Sequence, residues 1–166
     1  MIAKSVEDAM NDQLNFELRS AYDYLAMSAY CEAESLPGFA HWLRAQAQEE
    51  VDHAMKFYKF IADRGGRVRL QGLGTPATDF DSLLEVFEQS LDNERSVTRA
   101  INELYTLTTK EQDYASQAFL NWFVTEQVEE EKTVEAIIDD LKRAGTSGEA
   151  LYLIDKDLAG RTPAGD

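Results

Sequence analysis

The chain has 166 residues, 44% of them apolar and 28% charged, a balance that is ordinary for one globular domain and argues against a disordered chain. Acidic residues number 31 against 16 lysines and arginines, and the formal charge of −15 argues against nucleic acids and anionic membrane surfaces as partners and favours cations. The single cysteine, Cys31, excludes an intrachain disulfide and CxxC chemistry.

Neither a membrane span nor an export signal is evident in the sequence. The longest uncharged run, over 114–125, is too short to cross a bilayer. The first residues, MIAKSVEDAMNDQ, carry acids where a signal peptide needs an apolar stretch. We therefore expect a cytoplasmic protein that makes no contact with membranes and folds as a single domain over 1–166.

Five helices are predicted between breaks that glycine and proline mark. The breaks lie at 36–38, at 65–76 and at Gly145. Good helix formers predominate between them, and Ser82 with Glu85 forms a capping box. In chain order, the predicted helices span 5–35, 39–64, 82–108, 111–144 and 147–158. The first two helices are joined by a short connection and form one helical hairpin, and the next two form a second. A long connection joins the two hairpins, which predicts an all-α four-helix bundle with one crossover and a short fifth helix.

Each long helix carries an inward stripe of mainly apolar residues, spaced three or four apart, which polar groups interrupt near its middle. The first helix of each hairpin offers a glutamate, and 33 residues later the second helix begins a pair spaced three apart. The interrupting residues are Glu17; Glu50 and His53; Glu94; and Gln127 and Glu130. Since residues i and i+3 share a helix face, four carboxylates and one imidazole converge at one height in the core.

This convergence is hard to explain as ordinary packing. An unpaired carboxylate in a core of low dielectric constant is strongly unfavourable, and no lysine or arginine lies on these stripes to pair the four. Bound divalent cations remove the conflict, and carboxylates with one histidine and no cysteine suit iron, manganese or zinc. Four glutamates supply enough oxygen atoms for two ions, with Glu50 placed to bridge them. The opposite interpretation is that the stripe register is wrong and these residues face water.

The pattern resembles that of bacterial non-haem ferritins, members of the ferritin-like di-iron family, over nearly the whole chain. The residues that carry the resemblance are Glu17, Tyr24, the motif Glu49-Glu50-x-x-His53, Glu94 and the run TEQVEEE at 125–131. The combination is specific, because five positions on four helices must agree. The resemblance implies a ferritin-like fold, with the short fifth helix around the four-fold axes of a 24-subunit shell.

The resemblance also implies roles for individual residues. One iron ion would be held by Glu17, Glu50 and His53. A second would be held by Glu50, Glu94 and Glu130, with Gln127 close by. A third, nearby iron site would be formed by Glu49, Glu126, Glu129 and Glu130. Tyr24 matches a redox-active tyrosine beside the di-iron centre, so Tyr24 and Glu50 are the expected catalytic residues.

By the same resemblance, the protein would be a ferroxidase. It would oxidise Fe(II) with O₂ or H₂O₂ and store ferric mineral inside a homomeric shell. Haem is not expected, because the related bacterioferritins carry a methionine just after the bridging glutamate, where this chain has Val51.

Alternatives stay open from the sequence alone. Glu49, Glu126 and Glu129 can also form a solvated face, and Gln127 is better suited to hydrogen-bond to a metal ligand than to bind metal itself. The whole protein can be an oxidase or peroxidase with two metal ions that stores nothing, or a helical interaction protein without metal. A closed shell distinguishes storage from catalysis, and stabilisation by a divalent ion distinguishes both from the interaction protein.

Overall fold

The computed structural model describes residues 2–162, which contain five α-helices and no β-strand. The helices are α1 (Lys4–Ala33), α2 (Pro37–Asp63), α3 (Leu83–Lys110), α4 (Tyr114–Ala144) and α5 (Gly148–Leu158). Helix α1 packs along α2, α3 packs along α4, and α1 also contacts α3. Because short connections make successive helices antiparallel neighbours, the four long helices form a bundle of two hairpins. The predicted all-α four-helix bundle is confirmed.

The ends of the helices differ from the predicted ends by up to three residues. The largest difference is at α4, which was predicted from 111 and begins at Tyr114. Gln112 has a φ of 53°, which breaks the helical backbone, and the Asp113 carboxylate accepts the backbone N–H of Ser116 at 3.1 Å as the N-cap. The predicted cap of α3 is present, since Ser82 Oγ accepts the backbone N–H of Glu85 at 3.1 Å.

Two apolar clusters fill the bundle on either side of a polar layer. The first includes Phe39, Leu43 and Phe87, and the second includes Met10, Phe57 and Phe123. Burial of a large apolar side chain contributes about 1.5–3 kcal/mol, so these clusters stabilise the helices that carry the polar layer. Cys31 lies fully buried in the first cluster, and burial raises the pKa of its thiol to about 12, as expected of a packing residue.

The crossover between α2 and α3 is fixed to α1 by a ladder of two asparagines. Asn11 Nδ2 donates to the Arg67 carbonyl at 3.0 Å, and Asn11 Oδ1 accepts the Arg69 N–H at 2.6 Å. One helical turn later, Asn15 Nδ2 donates to the Arg69 carbonyl and Asn15 Oδ1 accepts the Gln71 N–H, both at 2.8 Å. The side chains thus supply the backbone partners that a neighbouring strand would supply in a sheet.

Helix α5 contacts α2 and α4, and its position depends on the N-terminus of α2. The Asp155 carboxylate accepts the backbone N–H groups of Gly38 and Phe39 at 2.8 and 3.0 Å. These are N–H groups that a helix leaves unpaired at its N-terminus, where a negative charge is also favourable. A Cβ atom on residue 38 would lie 1.7 Å from the Asp155 carbonyl oxygen, so only glycine permits this approach.

None of the helices within residues 2–162 has the length and hydropathy that a membrane span requires.

The asparagine ladder predicts the effect of Asn15→Ala. The substitution removes two hydrogen bonds to the crossover and one to the Asn11 carbonyl, and it leaves the backbone groups of Arg69 and Gln71 without these partners, at a cost of about 1–3 kcal/mol. Local opening of the crossover should therefore increase about tenfold, measured as the rate at which trypsin cleaves after Arg67 and Arg69. Asn121→Ala, at an exposed position of α4, is the matched control and should leave that rate unchanged. An unchanged rate in both variants would contradict the role of the ladder.

Candidate metal centre

The polar layer between the two apolar clusters contains most of the residues that the sequence singled out. Eight of the predicted site residues are buried there: Glu17, Tyr24, Glu49, Glu50, His53, Glu94, Gln127 and Glu130. Glu126 is half-buried, and Glu129 is exposed. The inward face of every long helix therefore carries its polar residues into the core. The alternative, in which the predicted stripe register is wrong and these residues face water, is inconsistent with this burial.

Glu17, Glu50 and His53 form the tightest group. One ligand atom from each lies within 4.8 Å of the others, so a single ion can contact all three. Glu50 Oε2 is 3.7 Å from His53 Nδ1, too long for a hydrogen bond. Within residues 2–162, Glu17 Oε2, Glu50 Oε2 and His53 Nδ1 have no hydrogen-bond partner. Buried polar atoms are normally paired, so three unpaired ones in one group are typical of a site built for a ligand.

The other oxygen of each of these carboxylates is held by an amide from one helical turn earlier. Gln13 Nε2 donates to Glu17 Oε1 at 2.9 Å, and Gln46 Nε2 donates to Glu50 Oε1 at 3.2 Å. Gln46 Nε2 also donates to Glu130 Oε2 at 2.8 Å. The amides fix the carboxylates in orientation and leave one oxygen of Glu17 and one of Glu50 for an ion, the arrangement that supporting residues give metal ligands.

A second group joins His53, Glu126 and Glu130, whose ligand atoms also lie within 4.8 Å of one another. The resemblance grouped Glu126 and Glu130 with Glu49 and Glu129 and did not include His53 in that set. Glu129 points to solvent, whereas His53 lies between both groups. Burial, the largest cause, together with the charges of Glu129 and Glu49, raises the pKa of Glu126, while His53 opposes the rise. The negative charge of Glu49 therefore acts on Glu126 across this part of the layer.

Glu94 does not form a comparably tight group with Glu50 and Glu130 among the described residues. Its carboxylate accepts the Tyr24 hydroxyl and, at 3.2 Å, Gln127 Nε2. Gln127 Nε2 also lies 3.3 Å from the Glu94 carbonyl. These contacts agree with the interpretation of Gln127 as a residue that hydrogen-bonds to a ligand.

The electrostatics of the layer favour protonated carboxyl groups when no cation is bound. Burial, followed by the charge of Glu50, raises the pKa of Glu17 well above its ordinary value. Burial and neighbouring carboxylates raise the pKa of Glu94 and of Glu130 to about 8. Burial alone would lower the pKa of His53, but Glu50 outweighs it and the pKa is raised. Cations therefore have to compete with protons for these groups.

Tyr24 completes the layer from α1. Burial, followed by the charges of Glu94 and Glu50, raises the pKa of Tyr24 well above its ordinary value. The side chain therefore stays a neutral phenol that donates its proton to the Glu94 carboxylate.

Three residues of the site were not singled out from the sequence. Gln13 and Gln46 each lie four residues before a site glutamate, and that spacing puts the amide beside the carboxylate on the same helix face. The third is Arg161, whose Nη2 donates to Glu49 Oε2 at 2.6 Å. No local sequence signal points to Arg161, because it reaches the site only through the docking of α5.

Comparisons with known proteins agree with the fold. The sequence profile of the ferritin-like domain matches residues 7–144. The chain belongs to the ferritin-like family. It is 44% identical to the bacterial non-heme ferritins of Staphylococcus aureus (strain USA300) and Staphylococcus haemolyticus, over 98% of both chains. The resemblance to bacterial non-haem ferritins is therefore confirmed.

Solved structures of this family superpose on nearly all of the chain. An open-pore ferritin of the archaeon Archaeoglobus fulgidus has a TM-score of 0.97 at 41% identity, with 98% of this chain and 100% of that chain covered. An engineered closed form of the Archaeoglobus fulgidus ferritin also has a TM-score of 0.97 at 41% identity, with 99% of this chain and 100% of that chain covered. The ferritin-like fold is thus shown for this member of the family.

The raised pKa values predict how the stability of the metal-free protein depends on pH. In the unfolded chain a glutamate titrates near 4.5, whereas folded Glu94 and Glu130 titrate near 8. Between these values the folded state binds more protons than the unfolded state, so the free energy of unfolding falls as pH rises. The raised pKa of His53 acts in the same direction. The thermal unfolding midpoint, followed by circular dichroism, should therefore fall between pH 5 and pH 8.

Saturating Zn²⁺ should remove most of this fall, because a bound cation replaces the protons. Glu130→Gln is the informative variant, since it removes one of the titrating groups and should flatten the metal-free curve. A midpoint that rises from pH 5 to pH 8 without metal would contradict the electrostatics described for the layer.

Proposed function

We propose that this chain is a ferroxidase subunit that oxidises Fe(II) at the buried metal centre and stores the ferric product inside a shell of 24 copies. The observation that carries the proposal is the group of three unpartnered buried atoms on Glu17, Glu50 and His53. Hard oxygen and imidazole donors without a thiolate suit iron. The similarity to ferritins over almost the whole chain supports iron as the substrate.

Two Fe(II) ions bind as substrates of the reaction. The first binds Glu17, Glu50 and His53, and the second binds Glu50, Glu94 and Glu130 with Gln127 holding Glu94 in position. Each ion gives one electron to O₂, which takes up two protons and leaves as H₂O₂; with H₂O₂ as oxidant, two electrons and two protons give two water molecules. Carboxylates favour this direction because hard anionic oxygens stabilise Fe(III) more than Fe(II).

Tyr24 supplies a further electron to the oxidant and limits the leakage of radicals. Its hydroxyl donates to Glu94, so loss of an electron from the phenol sends the proton to that carboxylate. Glu130 belongs both to the di-iron centre and to a third iron site with Glu49, Glu126 and Glu129. An ion can therefore pass from the centre to the third site, and from there to the mineral.

The wider expectations follow from membership of the family. The single domain over 1–166 assembles with copies of itself, and α5 contributes to the four-fold axes of the shell. The protein acts in the cytoplasm, and Val51 leaves no methionine there to bind haem.

Aerobic iron loading tests storage directly. The metal-free protein receives about a hundred Fe(II) per chain, far more than a carboxylate site can hold, and is separated on a sizing column. Iron and protein should elute together as a particle of 24 chains of 18.7 kDa, or about 449 kDa. Two or three iron ions per chain on a much smaller species would instead indicate an oxidase or peroxidase that stores nothing. Protein without iron would contradict the metal centre itself.

Glu50→Ala tests the ferroxidase step. The variant loses the carboxylate shared by both ion positions, so the rate of Fe(II) oxidation, followed by ferric absorbance, should fall to that of free iron while the helical content stays unchanged. Glu103→Ala, at an exposed position of α3, is the matched control and should keep the rate of the parent protein. Unchanged kinetics in Glu50→Ala would rule out this mechanism.

A further inference from the structure

Arg161 lies at the edge of the polar layer, where the chain after α5 returns to α2. Arg161 Nη2 donates to Glu49 Oε2 at 2.6 Å and to Gln46 Oε1 at 2.9 Å. Its guanidinium lies over the Trp42 ring at 4.4 Å, and only 18% of the side chain is exposed. The backbone is held as well, since the Arg161 carbonyl lies 2.8 Å from His41 Nε2. The guanidinium is thus fixed by an aromatic face, a carboxylate and an amide.

The contact with Gln46 extends the influence of Arg161 into the di-iron centre. A guanidinium can only donate hydrogen bonds, so the amide must turn its oxygen to Arg161 and its nitrogen to the carboxylates. Gln46 Nε2 then donates to Glu50 Oε1 and to Glu130 Oε2. A chain of hydrogen bonds therefore connects the segment after α5 to the carboxylate that both iron ions share.

The contact with Glu49 places a positive charge where the third ion is expected. Glu49 precedes Glu50 on α2, and its charge acts on Glu126, which is grouped with His53 and Glu130. The Arg161 guanidinium already contacts Glu49 Oε2. If a metal ion bound the same oxygen, two cations would lie within bonding distance of one atom. Their mutual repulsion makes the two states exclusive.

We propose that the Arg161 guanidinium occupies the ion position at Glu49, and that a metal ion binds there only after the guanidinium leaves. Arg161 is a positioning residue: it balances the charge of Glu49 in the absence of the third ion and orients Gln46 toward Glu50 and Glu130. Departure of the side chain releases Glu49 Oε2 from this contact and loosens Gln46 at the same time. This role depends on the iron chemistry proposed above, because the ion position adjoins the same carboxylates.

Zn²⁺ binding to the metal-free, assembled protein at pH 7 tests this role, because Zn²⁺ is redox-inert and no turnover is involved. In isothermal titration the parent protein should bind two ions per chain tightly and a third more weakly. Arg161→Gln should bind the third ion at least about tenfold more tightly, since the charge-assisted hydrogen bond from Arg161 no longer has to be broken first. Arg99→Gln removes the same charge from an exposed position on α3 and should leave the third affinity unchanged.

Two further variants separate displacement from a general effect of charge. In Glu49→Gln the third ion should no longer bind with measurable affinity, and adding Arg161→Gln to that chain should change nothing. In Trp122→Phe, Trp42 is the remaining tryptophan, and its fluorescence should change as the third Zn²⁺ displaces the guanidinium. The same step should be silent when Arg161→Gln is also present.

Other results would overturn this role. Equal third affinities in the parent protein and Arg161→Gln, with two tight ions in both, would remove the role of Arg161 and leave the iron chemistry standing. Loss of the two tight ions in Arg161→Gln alone would show that Arg161 only supports the structure of the centre. No tight Zn²⁺ in either protein would overturn the proposed function together with this role.

Discussion

The rest of this structure depends on five glutamates that are buried between two apolar clusters, one of which, Glu49, is paired with Arg161. The clusters stabilise the bundle, but the layer between them would hold mutually repelling charges if every carboxyl group ionised. Without metal, the folded protein lowers this cost by keeping protons on Glu94 and Glu130, whose pKa values rise to about 8. Bound cations replace these protons and neutralise the carboxylates, so the repulsion between the carboxylates favours metal binding. The same electrostatic repulsion therefore determines both the stability of the metal-free protein and its affinity for metal ions.

The glutamines of the layer determine where an ion can bind. Gln13, Gln46 and Gln127 each donate to one oxygen of a glutamate and so limit the orientations of that carboxylate. On Glu17 and Glu50, the second oxygen stays without a partner in residues 2–162 and faces His53. The two halves of the bundle differ here. In the first hairpin, the pair spaced three apart is Glu50 and His53, which ends in an imidazole. In the second hairpin it is Gln127 and Glu130, which begins with an amide that donates to Glu94. The centre is accordingly asymmetric.

The sequence predicted the fold and the composition of the polar layer because both depend on periodicity. Stripes with a period near 3.6 identify the buried face of each helix, and the 33-residue spacing brings Glu17 to Glu50 and Glu94 to Gln127 at one height. Features that depend on side-chain direction were not accessible in this way. The grouping of His53 with Glu126 was not predicted, and Arg161 arrives from the far end of the chain because Asp155 anchors α5 at Gly38. The start of α4 was misplaced because Gln112 adopts a positive φ that its residue type does not demand.

The most direct test of the central claim is to locate bound ions in crystals of the protein soaked with Zn²⁺, by anomalous scattering at the zinc edge. The account predicts a peak about 2.0–2.2 Å from an oxygen of Glu17, an oxygen of Glu50 and a nitrogen of His53, with a second peak beside it in the layer. A layer without peaks, in crystals whose exposed carboxylates do bind Zn²⁺, would contradict the claim that the buried glutamates are a metal centre.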